Sequence, residues 1–217
     1  TEAHIETLIR HLLGDPTAPE PDLLVQYDDP PAHWRAPKGY RPFLPVRIAV
    51  MTVSDSRTLE TDTSGQALVS RIEQAGHVLA DRTIVRDDVK QITEQLKSWI
   101  KDPLVDVVIT NGGTGVTGRD VTPEAFDCVL EKRIEGFGEL FRMLSYRKIG
   151  TSTIQSRAVA GVADGTYLFA LPGSTGAVKD GWDDILVFQL DSRHRPCNFV
   201  ELMPRLREGL KEDHSHD

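Results

Sequence analysis

Cysteine is scarce. The 217 residues hold two, Cys128 and Cys197, with no metal-ligand spacing and no disulfide framework between them, so a reduced compartment is expected. Positive charge is in deficit as well. Acids number 33 against 25 Lys plus Arg, and the net charge of −8 argues against a general nucleic-acid or anionic-membrane binder. It does not exclude an anionic small molecule, because a local cluster of donors can oppose the global charge. No run of eighteen apolar residues occurs, so no membrane span is expected. The opening TEAHIETLIRHLLGD is acidic at its start and lacks a signal-peptide pattern. It begins without methionine, which suggests trimming or a piece of a longer chain. A cytoplasmic protein is the expectation.

Proline is abundant in one place. Pro16, Pro19, Pro21, Pro30, Pro31, Pro37, Pro42 and Pro45 crowd residues 15–45, a density that forbids regular structure. Tyr27, Trp34, Tyr40 and Phe43 are interleaved with them, so this arm is expected to lie along a surface of its own subunit or a neighbour's. Before it, Ile5, Leu8, Ile9, Leu12 and Leu13 fall at helical spacing and Gly14 closes a short helix. Residues 1–45 therefore read as an N-terminal helix and arm, 46–203 as the main domain and 204–217 as a tail. A short helix is expected around 200–210. His214 and His216 read as part of a solvated terminus.

Between 46 and 190 strand-like and helix-like stretches alternate. VRIAVMTVS (46–54), HVLADRTIV (77–85), LVDVVIT (104–110) and TYLFALP (166–172) read as strands. Helices are expected over 62–76, with Asp62 near the start and Gly76 at the stop, over 88–101, 122–132 and 137–149, and from Thr175. Ile92, Leu96, Trp99 and Ile100 share one face of the second of these. The βαβαβ rhythm predicts an α/β domain with a mostly parallel sheet and helices on both faces.

Residues 109–118, ITNGGTGVTG, contain G-x-G-x-x-G at Gly113, Gly115 and Gly118. A dinucleotide site needs that turn after the first strand, a helix opening inside the motif and an acid about twenty residues on. Here the turn follows the third strand and the next helix waits for Thr122, read as its cap, with Pro123 as its first residue. Position 133 is Arg133, in a helix-like stretch. The glycines instead fit a nest. Gly112, Gly113 and Gly115 allow close backbone approach and aim N–H groups at an anion beside the carboxyl end of a strand.

Carboxylates fall at the same predicted edge. Asp120 stands just before the helix at Thr122, and Asp87 and Asp88 follow the second strand. Taken by position alone, helix capping is the expected role at each site. Two carboxylates meeting opposite a phosphate nest also suit a Mg²⁺–nucleotide site. Ser54, Asp55, Ser56 and Arg57 end the first strand. Pro172, Gly173 and Ser174 end the last, with Lys179 on the helix beyond.

The stretches TNGGTGVTGRDVTPEAF, VSDSR and LPGSTGAVKDGWDDIL resemble the MoaB/Mog family of molybdopterin-binding domains, over roughly 45–203. That family carries T-x-G-G-T-G followed by R-D-x-T-P-[DE], and Thr110 to Glu124 fits throughout. The closing LPGST…QLDSRHRPCNF is similar to the MoaB branch rather than the Mog branch. The resemblance implies a three-layer αβα sandwich of MogA-like fold, assembled as homotrimers or homohexamers. It implies adenylyl transfer, in which ATP and molybdopterin give adenylyl-molybdopterin and pyrophosphate with Mg²⁺. A non-catalytic molybdopterin carrier is the alternative, and a downstream molybdenum-insertion enzyme is an expected partner. Asp87 and Asp120 match the family's two important aspartates and are the expected catalytic residues and Mg²⁺ ligands. Arg86 departs from the proline that the Mog pattern often carries. Expected substrate contacts are Ser54, Asp55, Ser56, Gly112, Gly113, Thr114, Gly115, Arg119, Pro172, Gly173 and Ser174, with Arg57 and Arg119 balancing charge on the leaving group.

Overall fold

The computed structural model describes residues 41–208. The expected N-terminal helix, most of the proline-rich arm (Tyr27, Trp34 and Tyr40 included) and the His214/His216 tail lie outside the described residues. Six strands form one sheet in the order β2-β1-β3-β6-β5-β4. They are β1 (Arg47–Val53), β2 (Val78–Val85), β3 (Val107–Asn111), β4 (Lys132–Arg133), β5 (Val159–Ala163) and β6 (Thr166–Leu171). β1, β2, β3 and β6 run parallel, while β5 and β4 add an antiparallel edge. The main helices are α1 (Thr63–Gln74), α2 (Val89–Ile100), α3 (Thr122–Asp127), α4 (Glu135–Ile149) and α5 (Thr175–Gly181).

Strand alternation builds the layers. Ile48 and Val50 of β1 pack with Leu68, Ile72, Phe137, Phe141 and Val178 from α1, α4 and α5 on one face. Ala49, Met51 and Val53 pack with Ile92, Leu96, Trp99 and Phe126 from α2 and α3 on the other. Strands buried on both faces read as continuous apolar runs, which is why β1 and β3 look that way in the sequence. The expected α2 stripe is entirely buried, and each such side chain contributes about 2 kcal/mol.

Local chemistry sets the helix ends. Asp62 caps α1 by accepting from the Gly65 amide at 2.9 Å, and Gly76 follows the helix with φ +83°. Asp88 caps α2, accepting from the Gln91 amide at 2.8 Å. That assignment leaves Asp87 out of the capping role.

Several expectations are corrected. The helix expected over 122–132 ends at Asp127, and Arg133 lies on β4, not in a helix. Thr122 is not a cap: the cap position is Val121 with no side-chain bond, and Pro123 is the second helical residue, not the first. β5 is an unforeseen strand. Its sequence VAGVA is short and small, with weak strand propensity. Gly161 is required there because a Cβ would stand 2.4 Å from the Lys132 carbonyl of β4. The helix expected over 200–210 is one turn, Phe199–Leu202, followed by a 3₁₀ turn.

The described end of the arm does lie along the domain. Ser192 Oγ donates to the Pro42 carbonyl at 2.8 Å and accepts from the Leu44 amide at 2.9 Å. The Phe43 ring packs 5.1 Å from His77 and lies under the Arg193 guanidinium at 5.0 Å. No helix among the described residues is long and apolar enough to cross a membrane.

The topology also locates the site. From β1 the chain goes to β2 on one side and then to β3 on the other. Ligands of open α/β sheets bind at the carboxyl end of such a switch point. Thr52 pairs with Asn111 and Asn111 with Leu171, so the loops after β1, β3 and β6 leave one edge together.

Candidate functional site

The loop after β3 is fixed from below. Asn111 is fully buried, and its Nδ2 donates to Thr52 Oγ1 at 2.8 Å. Thr52 Oγ1 donates in turn to Asp62 Oδ2 at 2.7 Å, and Arg82 reaches the same oxygen at 3.1 Å. Gly112 then turns with φ +101°, where a Cβ would lie 2.2 Å from the Val53 carbonyl. Gly113 follows with φ +63°, its Cβ position 2.5 Å from Thr122 Oγ1 and 3.1 Å from Asp87 Oδ1. Thr122 Oγ1 donates to the Gly112 carbonyl at 2.8 Å, and its amide donates to that of Gly113 at 3.0 Å. The residue expected to cap a helix instead pins the glycine turn. Gly173 sits above it, its Cβ position 3.0 Å from Gly112 Cα.

Not every loop amide is directed at a guest. The Gly112 amide donates to the Leu171 carbonyl at 3.0 Å, and the Gly115 amide faces the Asp120 carboxylate. The nest is therefore narrower than the glycine count suggests, and part of it holds a side chain of the protein itself.

Asp87 and Asp120 converge on this turn. Burial pushes the Asp87 carboxyl up from its usual range, and the charges of Asp55 and Asp120 push it further. Burial also acts to raise Asp120. The Thr117 hydroxyl and amide, at 2.6 and 2.8 Å, the Gly115 amide and the Arg157 charge outweigh it and hold Asp120 below the usual range. Asp55 forms an ion pair with Arg119. Two carboxylates with opposed tendencies thus stand at one turn, close enough for the charge of Asp120 to act on Asp87. Among the described residues no group of three or more acids, histidines or cysteines is placed to hold a metal alone. Asp87 and Asp120 fit Mg²⁺ as a partial ligand set, since that ion takes one or two carboxylates and completes its shell with phosphate oxygens and water.

A cavity of about 420 Å³ opens beside the turn. Of the expected substrate contacts, Gly112, Gly113, Thr114, Gly115, Pro172, Gly173 and Ser174 line it, and so does Asp120. Ser54, Asp55, Ser56 and Arg119 do not line it, and Asp55 and Arg119 stand near Asp87 instead. Ser54 Oγ accepts from the Ser56 and Arg57 amides, which shapes its own turn. Ser174 Oγ caps α5 through the Ala177 amide at 3.1 Å. Arg57 is turned back onto the Thr61 carbonyl at 2.9 Å. The remaining wall is unforeseen: Phe141, Ser145 and Ile149 from α4, Ser152, Thr153 and Gln155 from the 3₁₀ segment after it, Ser156 just beyond, and Ala177 from α5. The one sequence signal was the polar run STIQSR between a helix and a small apolar stretch.

A tight glycine turn, two carboxylates and an adjoining cavity meet at the switch point of an open α/β sheet. Residues 49–192 match the family described as the probable molybdopterin binding domain. The chain belongs to this molybdopterin-binding family of molybdenum cofactor biosynthesis. It is 51% identical over 157 residues to molybdenum cofactor biosynthesis protein B of Escherichia coli K12, covering 72% of this chain and 92% of that one. The protein of the same name from Staphylococcus epidermidis is 50% identical, covering 62% and 79%. A crystal structure of a molybdenum cofactor biosynthesis protein B superposes with a TM-score of 0.70 at 40% identity, covering 77% of this chain and 99% of that chain.

Proposed function

We propose that the protein is a molybdopterin adenylyltransferase, joining ATP to molybdopterin and releasing pyrophosphate. The observation that carries this reading is the meeting of Asp87 and Asp120 at a glycine turn beside a cavity large enough for a pterin. A cavity alone would serve a carrier. Charged carboxylates crowded against one another have no evident use in a carrier, but they suit a reaction between two polyphosphate-bearing substrates.

The residues divide the work by position. The 420 Å³ cavity takes the pterin, its ring against Phe141, Ile149 and Pro172 and its polar edge toward Ser145, Thr153 and Gln155. The terminal phosphate of molybdopterin then lies at the glycine turn. One of its oxygens attacks the α-phosphorus of ATP, the bond from that phosphorus to the bridging oxygen breaks, and pyrophosphate leaves. Asp87 and Asp120 would hold Mg²⁺, which when bound neutralises phosphate charge. Asp120, held ionised by Thr117 and Gly115, gives a fixed anionic point, and Asp87 a partner that loses its proton with more difficulty. Arg119 lies at the Asp87 end, where pyrophosphate charge develops. The contribution is mostly positioning and charge neutralisation.

Incubating the full chain with molybdopterin, ATP and Mg²⁺ should release pyrophosphate and give the adenylylated pterin, detected by mass spectrometry. Tight pterin binding with no pyrophosphate would make the chain a carrier. Self-assembly is proposed on the same footing. Met143, Tyr146 and Ile149 expose apolar surface at helical spacing along α4, and Ile154 follows at 82% exposure. Light scattering should return a mass of three or six chains, and a monomer would count against it.

A further inference from the structure

Arg157 is the residue of this region with the most unusual set of partners. It follows the 3₁₀ wall of the cavity and precedes β5. Its amide donates to the Thr114 carbonyl at 2.9 Å. Nε donates to the Gly115 carbonyl at 2.6 Å, and Nη2 to the Asp120 carbonyl at 2.6 Å. Nη1 pairs with Glu124 at 2.5 Å. One side chain therefore holds both limbs of the 114–120 loop and the helix that follows.

The direction of these bonds has a consequence. In a planar trans peptide the carbonyl of one residue and the amide of the next point opposite ways. Drawing the Thr114, Gly115 and Asp120 carbonyls toward Arg157 turns the amides of Gly115, Val116 and Val121 away from it. The Gly115 amide is the one that faces the Asp120 carboxylate. A guanidinium suits this task because its rigid fork of donors spans two carbonyls and a carboxylate at once.

We propose that Arg157 is a positioning residue: it sets the carboxylate of Asp120 and the Gly115 amide relative to the cavity wall, and thereby sets metal affinity in the assembled site. The metal part of this proposal rests on the adenylyl-transfer reading, and the loop part does not. Arg157 links the 3₁₀ segment that touches the pterin to the loop that presents Asp120, so its effect falls on the metal more than on the pterin.

The test uses Arg157→Gln and Arg157→Lys in the full chain, with Glu124→Gln for comparison. Losing an outer partner of a metal ligand costs roughly 10–100-fold in metal affinity. Arg157→Gln should raise half-saturating Mg²⁺ by about that factor and leave molybdopterin affinity within about threefold; the bond from its own amide to Thr114 stays, but loosening the Asp120 carboxylate that the Gly115 amide faces should speed exchange of that amide by about tenfold or more. Arg157→Lys, with one compact donor group instead of a fork, should fall between, and it carries the test if Arg157→Gln does not fold. Glu124→Gln leaves the three carbonyl bonds in place and should stay within about twofold of wild type. Unchanged Mg²⁺ dependence with unchanged Gly115 exchange in a folded Arg157 variant would overturn the proposal, as would an equal effect from Glu124→Gln. If the wild type releases no pyrophosphate, the adenylyl-transfer reading fails, and Gly115 exchange still decides whether Arg157 sets the loop.

Discussion

On the adenylyl-transfer reading, Asp87→Asn is expected to cut turnover sharply while raising the melting temperature of the ligand-free protein at pH 7. The two effects share a cause. Burial, then the charges of Asp55 and Asp120, disfavour the ionised carboxylate at this position. A carboxyl whose folded pKa is raised favours the folded state at low pH, and that contribution is lost as pH rises through the folded value. Near neutrality an ionised Asp87 therefore costs stability, and an uncharged amide of the same shape removes the cost. Turnover should fall by roughly 10²-fold or more, the scale of losing a group that holds a catalytic metal.

Asp120→Asn should lose a similar amount of turnover with the opposite effect on stability. Its carboxylate is held below the usual range, so its contribution is present above the unfolded pKa and lost as pH falls through the folded one. At pH 7 the asparagine variant should melt lower than wild type. Calorimetry at pH 7 and pH 4 with pyrophosphate assays on both variants checks the pair. Equal stability changes would show that the two carboxylates do not sit in the opposed environments described, and retained turnover in both would remove them from the reaction.

Gly112→Ala is expected to destabilise the fold by about 3 kcal/mol or more, from a strained positive φ together with a backbone clash. The new Cβ would meet the Val53 carbonyl at 2.2 Å, at the point where β1 and β3 part. Gly118 offers the contrast within the same glycine run, since nothing lies within 4 Å of its Cβ position and its φ is not in the left-handed region. Gly118→Ala should be neutral or slightly stabilising in the same thermal melts. A similar cost at both positions would mean that loop flexibility, not close approach, explains the glycines.

The central sheet was legible because β1, β3 and β6 are buried on both faces and their apolar runs leave little choice. Asp87 and Asp120 were legible as candidates, since both fall at carboxyl ends of parallel strands. Their roles were not, because a carboxylate just before a helix looks the same whether it caps or faces a cleft. The structure separates these by giving the α2 cap to Asp88 and the Thr117 bonds to Asp120. β5 escaped because VAGVA has small side chains and is a strand only through its neighbours. The cavity wall and Arg157 escaped for a related reason. Arg157 lies 37 residues from Asp120, and its bonds there are to main-chain oxygens, which leave no trace in residue type.

Composition puts the start of the folded unit at Val46, just past the last proline of the arm, but Ser192 puts it earlier. Its hydroxyl bridges Pro42 and Leu44, and Phe43 roofs the His77 ring. A chain cut to begin at Val46 would strand that hydroxyl and uncover an imidazole whose Nδ1 accepts from the Val46 amide at 3.2 Å. The proline-rich stretch therefore ends as masonry of the domain, and any shortened version should keep everything from Arg41 onward.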